Sequence, residues 1–178
     1  MSGADPNLVL IGLRASGKST LGARAAELLG RSFVDLDERS AAVLGAPGAG
    51  EAIAEHGMEA FRGAEREALA EVLKTPGQVV SLGGGTPTAA GCVELLSGDG
   101  QRVLYLKAQP DTLRERLASS DNSDRPSLTG RGVIDEVAGV YEERDPLYME
   151  IAESVIHTDG VGEDAVVAMI VALAKAGV

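Results

Sequence analysis

The residues Gly12-Leu13-Arg14-Ala15-Ser16-Gly17-Lys18-Ser19 fill every fixed position of the pattern G-x-x-x-x-G-K-[ST]. Glycines let the backbone fold into a concave turn whose N–H groups aim at an anion. A helix that begins at the lysine adds the positive end of its dipole. The lysine can reach β- and γ-phosphate oxygens, and the hydroxyl after it suits Mg²⁺. Average residue frequencies give roughly one chance match in a hundred chains of this size. Here the pattern also follows an apolar run, LVLIGL (8–13), and precedes a stretch that places Leu21, Ala25, Leu28 and Leu29 on one helix face, with Gly30 as a stop. Strand, loop and helix in that order are the context the chemistry needs. Gly12, Ala15, Ser16, Gly17, Lys18, Ser19 and Thr20 are therefore read as a nucleotide phosphate site.

Other groups could work beside it. SFVDLD (32–37) ends in Asp35-Leu36-Asp37. Residues two apart on a strand share a face, so both carboxylates are expected toward the γ-phosphate. One would be held near Mg²⁺ through water, the other aimed at an acceptor hydroxyl. A solvated strand end is the ordinary reading of such a pair, and the neighbouring phosphate loop outweighs it. QVVSLG (78–83) runs into Gly83-Gly84-Gly85, where a ligand could approach the backbone closely. Arg62 in GMEAFRGAE, Arg125 in RPSL and Arg144 in EERDPLY lie in or beside the irregular parts of the chain, whereas Arg24, Arg31 and Arg102 read as solvated charges.

The elements that must position these groups alternate. Apolar runs at 8–13, 32–37, 78–83, 102–107 and 154–159 are nearly continuous in Val, Leu and Ile, as in strands covered on both faces. Helical patterns fall at 18–29, 59–74, 109–118 and 134–151, and AVVAMIVALA (165–174) reads as a buried terminal helix too short to span a bilayer. The expectation is an α/β protein, a three-layer α/β/α sandwich around a five-stranded parallel sheet, formed by residues 1–178 as one domain. Two excesses interrupt it: forty residues between Asp37 and Gln78, including GAPGAG (45–50), and the polar loop SSDNSDRPSLTGRG (119–132). Both would sit over the carboxyl end of the sheet, where ligands bind in such folds.

Composition narrows the classes. The chain has 178 residues, 44% hydrophobic and 24% charged, as expected for a globular protein. Its formal net charge is −11 and the basic residues are scattered, which argues against a nucleic-acid surface. The single cysteine, Cys92, reads as a small buried thiol, and His56 and His157 receive no role. MSGADPN shows no secretory pattern, so the expected setting is the cytoplasm, with no membrane partner.

Six ordered motifs, GLRASGKST, FVDLD, GMEAFRGAE, GGG, RPSL and RDPLY, make residues from about 8 to 160 resemble the shikimate kinase family of P-loop kinases. That resemblance implies transfer of the γ-phosphoryl of ATP to the 3-hydroxyl of shikimate, with Mg²⁺ as cofactor, in a monomer. Lys18 and the amides around Gly17 would hold the ATP phosphates. Ser19 would ligate Mg²⁺, and Asp35 would contact it through water. Asp37 would bind the acceptor hydroxyls and act as general base. Arg62 and Arg144 would clamp the carboxylate, a task suited to the guanidinium fork, and Gly83, Gly84 and Gly85 would offer backbone donors. Arg125 would arrive with a lid at about 119–133, Arg116 would stack on adenine, and about 38–63 would form the acceptor-binding insertion.

The chain departs from the family pattern at Ala15, where another glycine is usual, at Met58, where a glutamate commonly supports the following arginine, and at Ser127 in RPSL. GAPGAG carries one extra residue. A gluconate-type kinase and a non-catalytic ligand sensor of a transcription regulator are the competing readings. Paired arginines at 62 and 144 favour a carboxylate acceptor over a neutral sugar, and seven residues before the first strand leave no room for DNA-reading helices.

Overall fold

The computed structural model describes residues 5–119, 127, 130 and 132–176. In chain order they form β1 (Asn7–Ile11), α1 (Lys18–Leu29), β2 (Phe33–Asp35), α2 (Leu36–Val43), α3 (Ala49–Val72), β3 (Val79–Ser81), α4 (Cys92–Leu96), β4 (Gln101–Lys107), α5 (Pro110–Ala118), α6 (Val137–Ile151), β5 (Ser154–His157) and α7 (Glu163–Lys175), with a 3₁₀ turn at Thr86–Thr88. The strands make one sheet in the order β2-β3-β1-β4-β5, every pairing parallel. The expected α/β architecture is present.

Continuous apolar runs are explained by burial on both faces. Along β1, Val9 and Ile11 enter one core with Val80, Val103, Tyr105, Leu69 and Tyr148, while Leu8 and Leu10 enter another with Leu21, Leu104, Leu106, Val166 and Ile170. Leu8, Val9, Leu10 and Ile11 are at most 1% exposed. Each such side chain contributes on the order of 1.5–3 kcal/mol by leaving water. A central strand saturated in this way fixes the phosphate loop that follows it.

Several local expectations are corrected. β2 ends at Asp35, and Leu36 already opens α2, so Asp35 and Asp37 do not share a strand face. Asp35 is instead the N-cap of α2, its Oδ1 accepting from the Asp37 N–H at 3.0 Å. Aspartate is among the strongest N-cap residues, and here local capping overrides strand extension. Leu28, placed on the buried face of α1 by its spacing, is 67% exposed, and Val166, Val167 and Ile170 of α7 pack into that core instead. Gly30 does stop α1, in the left-handed region at φ 64°, with its N–H directed at Ala26 and Glu27 carbonyls.

The segment after α2 holds more helix than its composition suggests. α3 runs from Ala49 and is broken by a non-helical Gly57 at φ 84°. Ala52 before the break and Phe61 after it pack with Ala41 of α2, with Leu44, Ala46, Ala49 and Ile53 beside them. This small cluster stands apart from the two sheet cores. Cys92 is fully buried, and burial pushes its thiol pKa up to about 11, as expected for an inert packing residue. Among the described residues no helix is long and apolar enough to cross a membrane. Of the expected lid at 119–133, positions 120–126, 128, 129 and 131 lie outside the described residues.

Candidate active site

The phosphate loop is built from one contiguous segment. Gly12 has φ 152°, and a side chain there would collide with the Leu106 carbonyl of β4. Gly17, at φ 92°, is the N-cap of α1, and among the described residues no side chain caps the helix N-terminus. The first-turn N–H groups of α1 thus lack a side-chain acceptor, which is the arrangement that suits a phosphate. Lys18 is 7% exposed, and its Nζ donates to the Leu13 carbonyl at 2.9 Å and contacts Ser16 Oγ at 3.4 Å. Ala15 adopts φ 64°, the only left-handed non-glycine among the described residues. The methyl group is accommodated there, at the usual steric cost of that region.

Ser19 Oγ donates to Asp35 Oδ2 at 2.6 Å and contacts Ser81 Oγ at 3.2 Å. One hydroxyl and one carboxylate beside the lysine are hard oxygen donors of the kind that suits a divalent cation.

Two cavities open side by side. The first is lined by Lys18, Ser19, Thr20, Gly17 and Asp35. The second is lined by Arg62, Glu65, Gly83, Gly84, Gly85 and Arg144, with Met58, Phe61, Leu113, Leu117, Val133 and Val137 supplying apolar walls. Asp37 and Arg14 line both. Asp37 thus stands where the two cavities meet, with Lys18 lining one and Arg62 and Arg144 the other.

Comparison with known proteins agrees. A shikimate kinase family model matches residues 14–175. The chain belongs to the shikimate kinase family. It is 42% identical over 151 residues to the shikimate kinase of Nitratidesulfovibrio vulgaris, covering 84% of this chain and 85% of that one. It is 40% identical over 172 residues to that of Stenotrophomonas maltophilia, covering 95% and 92%. Among solved structures, the shikimate kinase of Acinetobacter baumannii in complex with shikimate superposes with a TM-score of 0.85 at 30% identity, covering 94% of this chain and 92% of that one. Shikimate kinases are ATP-dependent kinases of a small molecule, and this chain is one of them.

Within this kinase the three glycines have three different neighbours. A side chain at Gly83 would collide with Asp37 Oδ1, and one at Gly85 with the Arg62 guanidinium. At Gly84 it would press on the backbone of Leu13 and Arg14 in the phosphate loop. None of the three has positive φ. Room for neighbouring groups, more than unusual backbone angles, is what requires glycine here.

Residues that the sequence reading passed over hold the arginines. Glu65 is 1% exposed; it pairs with Arg62 Nη1 through one oxygen and accepts from Thr86 Oγ1 at 2.5 Å through the other. Burial raises its pKa, and the Arg62 charge opposes the rise. The i,i+3 spacing of Arg62 and Glu65 on a helix was the available signal. Met58 lines the cavity instead of bracing Arg62, so its departure from the family glutamate leaves the arginine supported by Glu65. Arg144, 9% exposed, donates through Nη1 to the Gly84 carbonyl at 2.8 Å, a carbonyl shared with the Tyr148 hydroxyl. Its buried Nε has no hydrogen-bond partner among the described residues. Burial pushes the Tyr148 pKa up to about 12 against the pull of Arg144.

Arg116 lies on the far side of the phosphate loop, with Nη1 donating to the Ala15 carbonyl at 3.3 Å and to Thr158 Oγ1 at 3.2 Å, and Nη2 to the Thr158 carbonyl at 3.0 Å. Its edges are engaged in the plane of the guanidinium. Arg125 lies outside the described residues.

Proposed function

We propose that this kinase makes shikimate 3-phosphate and ADP through a division of labour between its two cavities, with Asp37 at their boundary as general base. The observation carrying this reading is that Asp37 borders Lys18 and Asp35 on one side and Arg62, Gly83 and Arg144 on the other. The N–H groups from Gly12 to Thr20 and the Lys18 ammonium bind the ATP phosphates and align the γ-phosphoryl. Ser19 would hold Mg²⁺ and Asp35 would contact it through water, and the ion when bound would supply charge neutralisation at the phosphate oxygens. Arg62 and Arg144 engage the acceptor carboxylate, and the amides of Gly83, Gly84 and Gly85 border the same ligand. Asp37 accepts the proton of the 3-hydroxyl as its oxygen attacks phosphorus in line with the departing ADP oxygen. Arg125 meets the transferring charge from a lid at about 119–133 that excludes water, and the flat face of Arg116 lies against adenine.

The helical pair at about 38–63 acts as the acceptor-binding part of one domain, residues 1–178, in a cytoplasmic monomer without membrane or nucleic-acid partners. All the residues named come from one chain. Positioning and charge stabilisation dominate phosphoryl transfer, so the low aromatic content of the site is no obstacle. ADP release from Mg-ATP is measured with shikimate, gluconate, quinate or no acceptor. Shikimate alone is expected to drive fast ADP formation. Equal rates with and without shikimate would contradict the assignment, and a preference for gluconate would move the chain to the competing kinase class.

A further inference from the structure

Asp145 follows Arg144 on α6, and its contacts run to β4, away from the Gly84 carbonyl. Its Oδ1 accepts a 2.8 Å hydrogen bond from the Tyr105 hydroxyl, and Lys107 Nζ reaches the two carboxylate oxygens at 2.8 and 2.9 Å. Tyr105 and Lys107 are two apart on β4 and share a face of the strand. The Lys107 ammonium lies 5.8 Å from the Tyr105 ring centroid and 5.6 Å from that of Tyr141. Tyr105 meets Tyr148 edge to face, centroids 5.3 Å apart at 78°. Tyr148 in turn shares the Gly84 carbonyl with Arg144. The contacts close a circuit from β4 through Asp145 to α6, and through Arg144 and Tyr148 to the glycine loop.

The helix needs outside support at this point. Pro146 lies inside α6 and has no N–H to complete the helical ladder, so the turn that carries Arg144 is weakened. The Lys107 and Asp145 side chains are only 12% and 20% exposed. A pair this far from water is a poor source of net stability, and its better-attested use is to fix geometry. Burial works against the Lys107 charge, yet hydrogen bonds to Asp145 and Tyr141 hold its pKa above the ordinary lysine value, so the ammonium keeps its proton.

We propose that Lys107, Asp145 and Tyr105 form a positioning cluster for the acceptor site: by clamping α6 to β4, they set where the Arg144 guanidinium meets the acceptor carboxylate. This rests on the reading of Arg144 given above. None of the three touches the reacting atoms.

The test is a set of steady-state KM and kcat measurements on five variants: Asp145→Asn, Lys107→Met, Lys107→Arg, Arg144→Ala and the double variant Asp145→Asn/Arg144→Ala. Asparagine keeps the size of Asp145 and the acceptor for Tyr105, and methionine keeps an apolar stem against the tyrosine rings, so folding is preserved. The KM for shikimate is expected to rise about tenfold in Asp145→Asn and several-fold in Lys107→Met, with the KM for ATP within twofold of native. Lys107→Arg should restore most of the loss. In the Arg144→Ala background, Asp145→Asn should add less than twofold, because a residue that acts through Arg144 has nothing left to position. A shikimate KM within twofold of native in Asp145→Asn overturns the proposal, as does an undiminished effect in the double variant. An unchanged shikimate KM in Arg144→Ala would instead refute the reading of Arg144 itself.

Discussion

The two cavities are assembled in different ways. The phosphate side is one continuous loop whose binding groups are mostly backbone: a left-handed Gly17, an uncapped helix start and a lysine folded over the turn. The proposed acceptor side gathers groups from α2, α3, the loop after β3 and α6, with Arg62 held by a carboxylate on its own helix and Arg144 by the glycine loop. Arg62 leans on Glu65 and, through it, on Thr86; Arg144 leans on the Gly84 carbonyl. Backbone sites tolerate change around them because the groups that bind are independent of side-chain identity. A site made of long side chains depends on every support beneath them. The acceptor side is therefore where substitutions should alter selectivity, and the phosphate side where they should alter turnover with any acceptor.

The contrast can be broken first at Lys18. Lys18→Ala should lower kcat by about 10²–10³-fold and weaken ATP binding, while shikimate binding, followed by calorimetry without nucleotide, stays within a few-fold of native. A comparable loss of shikimate affinity would mean that the two cavities are not separable. Gly85→Ala comes next. The added methyl meets the flexible end of Arg62, so the arginine and not the backbone should give way. The expected result is a shikimate KM raised by about tenfold, an unchanged ATP KM and a melting temperature within a few degrees of native.

Glu65→Gln sharpens the same point through pH. The folded protein raises the Glu65 pKa above the ordinary carboxyl value, chiefly by burial. A raised carboxyl pKa contributes stability that is complete below the unfolded value and fades as pH climbs through the folded one. The melting temperature of Glu65→Gln relative to native should therefore improve between pH of about 4 and about 7, even as its shikimate KM rises through the weakened hold on Arg62. A relative melting temperature that falls over this range would contradict the burial argument. The smallest effect is expected at Ala15→Gly. Relief of the left-handed alanine is worth about 1 kcal/mol, partly offset by the greater freedom of glycine in the unfolded chain, so thermal denaturation should shift by no more than a few degrees.

How much could be read in advance follows the same division. The Gly12–Thr20 loop is contiguous, so spacing alone assigns it, and runs such as Leu8–Ile11 announce a sheet buried on both faces. The aspartates are legible as chemistry but not as geometry, because the capping preference of Asp35 ends β2 two residues earlier than the hydrophobic pattern implies. Glu65, Thr86 and Tyr148 were not singled out. Thr86 and Tyr148 have their partners, Glu65 and Gly84, far off in the chain, where only packing brings them together, whereas the sole sequence signal of Glu65 is its i,i+3 spacing from Arg62. Met58 shows the converse: a position that looks like a missing support is a cavity wall, since the arginine it was expected to brace finds its carboxylate at Glu65.

The central claim is that Asp37 serves the chemistry at the boundary of the two cavities and is not needed to bind nucleotide. Single-turnover transfer from γ-labelled ATP to shikimate, measured on Asp37→Asn together with Mg-ATP affinity in the same preparation, tests it most directly. The account predicts transfer slowed by about 10²–10⁴-fold with ATP affinity within a few-fold of native. Near-native transfer in that variant, or a collapse of ATP binding that accounts for the loss, would contradict it.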